Sequence, residues 1–250
     1  MATFDELVAE GESVPVEGWD FSWFAGRATE ERPSWGYARL MGERMANASR
    51  ALDLQTGGGE VLASIPRPPE VLVATEGWPP NAALARERLA PLGGKVVEVA
   101  EDDPLPFPDA SFDLVVSRHP VATHWTEIAR VLAPTGTYFS QQVGAGSLSE
   151  LIDFMMGPQP ASEARAPERA RQQATAAGLT VTDLQAEPCK IEFFDIAAVI
   201  VFLRKVIWTV PNFTVPAYRD RLRALHTQIE SAGPFVAHSQ RFLIEAHKPA

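Results

Sequence analysis

The sequence predicts an α/β fold in which a mostly parallel sheet carries helices on both faces. From Arg50 onward, short apolar runs alternate with longer helical patterns, which is the rhythm of βαβ units. The composition is that of a globular chain, because 46% of the 250 residues are hydrophobic and 22% are charged. These proportions exclude a disordered or fibrous protein.

Residues 1–49 are predicted to form a helical arm or cap ahead of the sheet. Pro33 stands where a helix can begin, and helix formers follow from Tyr37 to Ser49. The tryptophans of this region either wall a pocket or anchor the arm; they are Trp19, Trp23 and Trp35.

The central part of the chain supplies the repeating strands and helices. Apolar runs predict five strands, at Ala51–Leu54, Val71–Ala74, Lys95–Val99, Phe112–Val116 and Thr137–Gln142. Helical patterns lie between them, in a run from Glu60, at Asn81–Leu92 and at Thr126–Leu132. Right-handed crossovers place all the strand-to-helix turns at one edge of such a sheet, so a ligand site is expected there.

The last part of the chain predicts three further helices and two strands. The helices are read at Pro167–Ala177, Asp195–Trp208 and Ala217–Ser231, and the strands at Leu179–Leu184 and Arg241–His247. The helix Asp195–Trp208 is apolar on nearly all sides. It therefore either covers a bound ligand as a lid or packs against the core or a second copy of the chain, and a homodimer is one possibility.

Charge, cysteine content and hydropathy exclude several classes of protein. The formal net charge is -10, which disfavours general binding to nucleic acid. Cys189 is the only cysteine, so neither an intrachain disulfide nor a multi-cysteine zinc site is expected, and the histidines show no metal spacing. The longest apolar run, Ile196–Leu203, is far shorter than the roughly 20 residues of a spanning helix. With an acidic N-terminus unlike a signal peptide, the sequence predicts a cytoplasmic protein without membrane attachment.

A glycine turn and two acidic residues carry the strongest chemical signal. Gly57-Gly58-Gly59 follows the first predicted strand but lacks the third glycine of a dinucleotide fingerprint, and no P-loop lysine follows. Asp53 precedes the turn, and Glu76 ends the second strand. A carboxylate at that strand end suits a ribose diol, whereas one beside the turn repels a diphosphate and tolerates a cationic ligand. This combination favours S-adenosylmethionine (SAM), which carries a sulfonium and an amino group, over a nicotinamide dinucleotide.

Four stretches of the chain together resemble class I SAM-dependent methyltransferases, in particular the type 11 group. They are LDLQTGGGE, VLVATEGWPPNAALA, LPFPDASFDLVVSRHP and EIARVLAPTGTY, which stand in the family's order from Arg50 to Gln142. The resemblance implies a Rossmann-like, seven-stranded sheet with an N-terminal helical arm and a helical insertion before the last strand. It also implies methyl transfer to an oxygen or nitrogen atom of a small-molecule acceptor.

The resemblance assigns a role to each matching residue. Asp53 faces the methionine amino or sulfonium group of SAM, and the methionine moiety is lined by Thr56, Gly57 and Gly59. Glu76 holds the ribose hydroxyls, with Gly77 beside it. The acidic residues Glu101 and Asp102 lie at the adenine amino group, and the methyl group is bordered by Ser117, Arg118 and His119. One departure is clear, because Gln55 replaces the first glycine of the family's motif, where its side chain either crowds the methionine end or hydrogen-bonds to it.

His119 is the leading candidate for a general base, because it follows the fourth strand at the expected edge and histidine titrates near neutrality. His124 and His238 come after it. The alternative is that His119 only shapes the pocket. Plain structural alternatives also exist for Glu76 as a helix cap and for the acidic run Glu101–Asp103 as a solvated loop.

The whole chain is predicted to be a single methyltransferase domain. Within it, residues 1–49 form the cap, 50–187 the SAM-binding core, 188–239 a helical lid or insertion and 240–250 the last strand. Other functions remain open at this point: an RNA or protein methyltransferase, or a SAM-binding sensor or assembly subunit without turnover. An NAD-dependent oxidoreductase is disfavoured by the missing third glycine.

Overall fold

A computed structural model describes residues 2–16, 21–160 and 162–250. The chain divides into two compact units. We call the larger one the core unit; it comprises Pro33–Ala145, Glu163–Glu187 and Arg241–Ala250. The smaller one, the accessory unit, comprises Met1–Arg32, Gly146–Ser162 and Pro188–Gln240. The predicted division into cap, core, lid and last strand stays a prediction.

The strands are β1 (Ala28–Glu30), β2 (Arg50–Leu54), β3 (Val71–Glu76), β4 (Lys95–Glu98), β5 (Phe112–Arg118), β6 (Leu132–Val143), β7 (Thr180–Phe193) and β8 (Phe235–His247). The helices are α1 (Phe4–Ser13), α2 (Tyr37–Met45), α3 (Pro79–Leu89), α4 (Trp125–Val131), α5 (Ser149–Met156), α6 (Pro167–Ala176), α7 (Ile196–Lys205) and α8 (Val215–Ala232).

The sheet is mostly parallel, as predicted. Its strand order is β1-β7-β8-β6-β5-β2-β3-β4. The pairs β5–β6, β2–β5, β2–β3 and β3–β4 are parallel, whereas β6–β8 and β1–β7 are antiparallel. Among the described residues the sheet has eight strands rather than the predicted seven, because the three-residue strand β1 pairs with the end of β7 in the accessory unit.

Both faces of the core unit's sheet are buried, which explains why its central strands read as continuous apolar runs. Along β5, Val115 faces one hydrophobic cluster, while Leu114 and Val116 face the other. The first cluster includes residues of α4 and α6, and the second includes residues of α2 and α3. The prediction of helices on both faces of the sheet is therefore confirmed.

The connection between β2 and β3 differs from the prediction. The helix expected from Glu60 is wrong, since residues 60–70 contain only a 3-10 turn at Leu62–Ser64. Three prolines, Pro66, Pro68 and Pro69, follow this turn. Proline lacks a backbone N–H and its ring clashes within a helix, so the segment cannot extend as one.

The accessory unit has its own hydrophobic core, to which α1, α5, α7 and α8 contribute. The sequence analysis did not predict α1 or α5. The start of α1 is a capping box, in which Thr3 and Glu6 satisfy each other's backbone N–H groups. Helix α7 is buried on nearly all sides within this unit's core. None of the helices in the described parts of the chain has the length and hydropathy that a bilayer crossing requires.

The packing of α3 generates a matched test of the core. Leu89 is fully buried, whereas Leu84 on the same helix is 42% exposed. We expect Leu89→Ala to lower the free energy of unfolding by about 2–5 kcal/mol, because it leaves a cavity beneath the sheet. Leu84→Ala is the control and should change the same quantity by no more than about 0.5 kcal/mol. Urea denaturation followed by circular dichroism measures both, and equal losses would contradict this assignment of the core.

Candidate active site at the carboxyl ends of the strands

The parallel register brings the predicted acidic residues to one edge of the core unit. Asp53 pairs with Ala74 of β3 on one side and with Val116 of β5 on the other. Glu76 ends β3 two residues beyond Ala74. The carboxyl ends of the central strands therefore meet where the sequence places the ligand site.

Asp53 is a buried carboxyl group, only 6% exposed. Its Oδ2 accepts a hydrogen bond from the Thr56 hydroxyl at 2.7 Å. Burial raises the pKa of Asp53 to about 7; the negative charge of Glu76 adds to this effect, while the Thr56 hydrogen bond and the Arg118 charge oppose it. The carboxyl group is thus poised to change its charge near neutral pH.

Glu76 ties the end of β3 to the glycine turn. Its Oε2 accepts a hydrogen bond from the Gly57 N–H at 2.8 Å, and its Oε1 accepts one from the Trp78 N–H at 2.9 Å. A carboxylate has about four acceptor positions, so both oxygens retain capacity for further donors such as hydroxyls. The structure therefore brings two of the predicted site residues, Glu76 and Gly57, into direct contact.

Two of the predicted glycines are required by their surroundings. A Cβ atom at Gly77 would lie 2.9 Å from the carbonyl oxygen of Val99, which is closer than side chains approach. Gly59 has a φ of +78°, in the left-handed region that favours glycine. Both glycines are therefore required by the protein's own packing and backbone geometry.

The adenine side of the predicted site is a small cavity. Its volume is about 40 Å³, and Glu101 lines it together with Val99, Leu105 and Ile128. The carbonyl oxygen of Glu101 is hydrogen-bonded to Nε2 of His124 at 2.7 Å. Asp102 is exposed beside Glu101 and is not part of the cavity lining.

Ser117 and Arg118 are neighbours in sequence but have different environments. The Ser117 hydroxyl is 1% exposed and forms 2.8 Å hydrogen bonds with the hydroxyls of Tyr138 and Ser140. Its carbonyl oxygen accepts a hydrogen bond from the Tyr37 hydroxyl. Arg118, at the end of β5, is exposed, and its charge lowers the pKa of Asp53. Of the two side chains, only that of Arg118 is thus accessible to a ligand from solvent.

His119 is held by a chain of hydrogen bonds that sequence reasoning missed. The Trp35 indole N–H donates to Oε1 of Gln141 at 2.8 Å, and the amide nitrogen of Gln141 lies 2.8 Å from Nε2 of His119. An indole nitrogen only donates, so the Gln141 oxygen faces Trp35 and its N–H donates to His119. Nε2 is therefore the unprotonated nitrogen, and Nδ1 carries the hydrogen.

The environment of His119 also favours its neutral form. Burial lowers the pKa of His119 well below 6.5, and the positive charges of Arg118 and Arg241 lower it further. For Nε2 to act as a general base, it must first leave the Gln141 N–H and accept a hydrogen bond from the group that it is to deprotonate. The polar run Ser140-Gln141-Gln142 in β6, which is buried in the structure, is the sequence signal that points to this network.

The remaining candidates belong to the accessory unit or fall outside the described residues. His238 belongs to the accessory unit, where its Nδ1 lies 2.7 Å from Oε1 of Glu150. Trp23 is in the same unit, stacked against the Arg27 guanidinium. Trp19 lies outside the described residues.

Comparison with known proteins identifies the segment that builds this edge. A family model described as "Methyltransferase domain" matches residues 52–140. This segment, about a third of the chain, is thus similar to methyltransferase domains. The resemblance found in the sequence is confirmed, and members of this class use SAM as their methyl donor.

A curated relative and two solved structures resemble the chain over different lengths. The ubiquinone/menaquinone biosynthesis C-methyltransferase UbiE of Geobacter sulfurreducens is 33% identical over 108 residues, which are 37% of this chain and 41% of that protein. The chain thus matches less than half the length of this relative. A protein of Bacillus halodurans C-125 has a TM-score of 0.61 at 17% identity, covering 87% of this chain and 100% of the other. The YcgJ protein of Bacillus subtilis also has a TM-score of 0.61 at 17% identity, and the match covers 86% of this chain and 98% of that protein. These two structures support the fold.

The residues of the methyltransferase domain fit SAM in chemical type. A buried carboxylate with spare acceptor capacity suits the ribose hydroxyls, and Asp53 offers negative charge to a cationic group. Gln55 is the exception among the motif positions, because a long side chain stands where the family pattern has glycine.

The pKa of Asp53 predicts how stability depends on pH. Because the pKa rises from 3.8 to about 7 on folding, the folded protein binds a proton that the unfolded chain releases between these values. The resulting stabilisation is complete below about pH 4 and is lost as the pH rises through about 7. Asp53→Asn mimics the protonated form, so the variant should be more stable than the natural protein at pH 8, by up to about 4 kcal/mol. At pH 4 the two should be similar.

Urea denaturation at pH 4, 6 and 8 measures this difference. If the free energies of unfolding of the two proteins differed by the same amount at all three pH values, the assigned pKa would be refuted. Asp102→Asn is the control. Because Asp102 is exposed, its substitution should leave the difference in the free energy of unfolding between pH 4 and pH 8 as it is in the natural protein.

The hydrogen-bond chain to His119 predicts its tautomer and titration. In nitrogen-15 NMR spectra, Nε2 should have the shift of an unprotonated nitrogen at pH 7, and the ring should protonate well below pH 6.5. Gln141→Glu keeps the acceptor for Trp35 but places a carboxylate oxygen at Nε2, which should raise the pKa of His119. A natural protein whose His119 titrates at or above pH 6.5 would contradict the arrangement.

Proposed function

We propose that this protein transfers a methyl group from SAM to an oxygen or nitrogen atom of a small-molecule acceptor. The observation that carries the proposal is the contact between Glu76 and Gly57. It fixes a ribose-binding carboxylate against the glycine turn in a segment that matches methyltransferase domains. Bound SAM supplies a methyl group already activated by the positive charge on sulfur.

The residues of the chain then have distinct roles in this proposal. Glu76 accepts hydrogen bonds from the ribose hydroxyls while its two backbone donors hold it in place. Asp53, when ionised, attracts the cationic end of SAM, with Thr56, Gly57 and Gly59 lining the methionine moiety. Glu101 and Asp102 border the adenine group. Proximity and orientation supply most of the rate, because the donor needs no further activation.

His119 and Arg118 stand on the acceptor side of the proposed reaction. With Nε2 bonded to Gln141, His119 presents Nδ1–H as a hydrogen-bond donor that orients the acceptor. It becomes a base only in a state where Nε2 has left Gln141. The exposed Arg118 offers a positive charge to an anionic acceptor.

The test combines ligand binding with label transfer. The natural protein should bind S-adenosylhomocysteine, the demethylated product, in calorimetry and should transfer label from methyl-labelled SAM to a component of a metabolite extract. Glu76→Gln should weaken binding by about 10- to 100-fold, because an amide has one acceptor oxygen and cannot face both the Gly57 and Trp78 N–H groups.

Glu98→Gln is the matched control. Glu98 pairs with Glu76 in the register of β3 and β4 but is exposed and bonded to Arg86, so its substitution should leave affinity unchanged. Failure of the natural protein to bind either SAM or its product would overturn the proposal. Tight binding without transfer would instead favour the SAM-binding subunit without turnover. Label found on carbon, the atom class in the name of the Geobacter relative, would correct the acceptor atom.

A further inference from the structure

Gln55 adopts a conformation that its residue type disfavours. Its φ is 55°, in the left-handed region where side chains with a Cβ atom are uncommon. It directly follows the last residue of β2. A non-glycine residue in such a conformation persists only where surrounding contacts hold it.

The contacts that hold Gln55 come from β3 and from the loop after β5. Its backbone N–H donates to the Thr75 hydroxyl of β3 at 3.2 Å. Its side-chain amide donates to the carbonyl oxygen of Ala122 at 2.8 Å, and its Oε1 accepts a hydrogen bond from the Val121 N–H at 2.7 Å. The side chain is thus bonded in both directions to the segment that follows β5. We call this pair of hydrogen bonds the Gln55 bridge.

The bridge crosses the edge at which the candidate site lies. It connects the carboxyl end of β2 with the loop after β5, and these strands are adjacent, with Leu54 opposite Ser117. Both Gln55 and Ala122 line the cavity that also contains Glu101. The bridge is therefore part of the wall of the predicted adenosine site.

The size of that cavity shows what the bridge does to the site. Its volume of about 40 Å³ compares with roughly 300–1,000 Å³ for small-molecule sites. A nucleoside therefore needs the wall to move. The Val121 side chain is 62% exposed, so burial holds this part of the loop only weakly, and the two hydrogen bonds from Gln55 are its ties to the glycine turn.

We propose that Gln55 is a positioning residue that closes the cofactor cleft, and that SAM enters only when the Gln55 bridge opens. The proposal rests on the proposed function, since it concerns the affinity of the same site. Breaking both hydrogen bonds costs free energy, and this cost makes the free energy of cofactor binding less favourable by the same amount. Affinity for SAM is thus lower than the site would otherwise provide, and the loop after β5 is ordered before the cofactor arrives.

Two substitutions separate the hydrogen bonds from the bulk of the side chain. Gln55→Gly removes both and suits the left-handed backbone, whereas Gln55→Met keeps a side chain of similar length but cannot form the bridge. We expect S-adenosylhomocysteine to bind about tenfold more tightly to Gln55→Gly and several-fold more tightly to Gln55→Met, as two modest hydrogen bonds are no longer broken. Gln173→Ala, an exposed change on α6, is the control and should bind like the natural protein.

A second measurement needs no cofactor. Hydrogen exchange of the Val121 amide, followed by NMR without ligand, should be slow in the natural protein and faster in Gln55→Met, because the acceptor Oε1 is gone. A merely structural change elsewhere does not alter exchange at this amide selectively. Unchanged exchange in Gln55→Met would overturn the bridge as the tie that holds the loop.

The binding results distinguish this proposal from the proposed function. If the natural protein binds S-adenosylhomocysteine and Gln55→Gly binds it no more tightly, the closing role of Gln55 fails while the function stands. If Gln55→Gly binds more tightly but Gln55→Met does not, bulk rather than hydrogen bonding closes the cleft, which also overturns the proposal. If no variant binds, the proposed function fails and the cofactor role of Gln55 fails with it.

Discussion

The hydrogen bonds accepted by Glu76 are the constraint on which the site edge depends. One oxygen holds the turn after β2, and the other holds the residue that precedes α3. A buried carboxylate is costly without partners, and charge-assisted hydrogen bonds to backbone N–H groups offset that cost. One side chain therefore connects the glycine turn, the end of β3 and the start of α3, in addition to the backbone hydrogen bond from the Thr56 N–H to the Thr75 carbonyl oxygen.

Asp53 and Glu76 together make this edge electrostatically asymmetric. Each is buried at the end of a neighbouring parallel strand, and their mutual repulsion contributes to the elevated pKa of Asp53. A site built in this way disfavours an anionic ligand and favours a ligand that brings positive charge. Two of the acidic residues behind the net charge of -10 are thus buried at the edge where a cationic cofactor is expected.

The sheet was predictable because its strands are buried on both faces. Leu114, Val115 and Val116 have no polar residue between them, since alternate side chains enter different clusters, and such runs are visible without knowledge of the fold. The helix predicted after β2 is absent because three prolines interrupt residues 60–70. The capping box of α1 is a local signal that is already present in the sequence at Thr3 and Glu6.

The contacts of the site side chains were beyond the reach of sequence patterns. Trp35 and Gln141 are separated by 106 positions, and no periodicity relates them. Equally, the replacement of glycine by Gln55 is visible in the sequence, but its partners are not, because they lie in a loop after another strand. Sequence patterns locate an edge and its residue types, whereas hydrogen-bond direction and tautomer depend on tertiary structure.

The strand order has a consequence for how the protein folds during synthesis. β8 follows the other described strands in sequence, yet it lies between β7 and β6, so residues 241–247 must be synthesised before the edge of β6 can be paired. Until then β6 presents an unpaired edge whose backbone groups can pair with another chain. Pairing of distant segments is also slow. The strand order therefore makes late pairing of β8 with β6 a step that exposes a sheet edge, whatever ligand the protein binds.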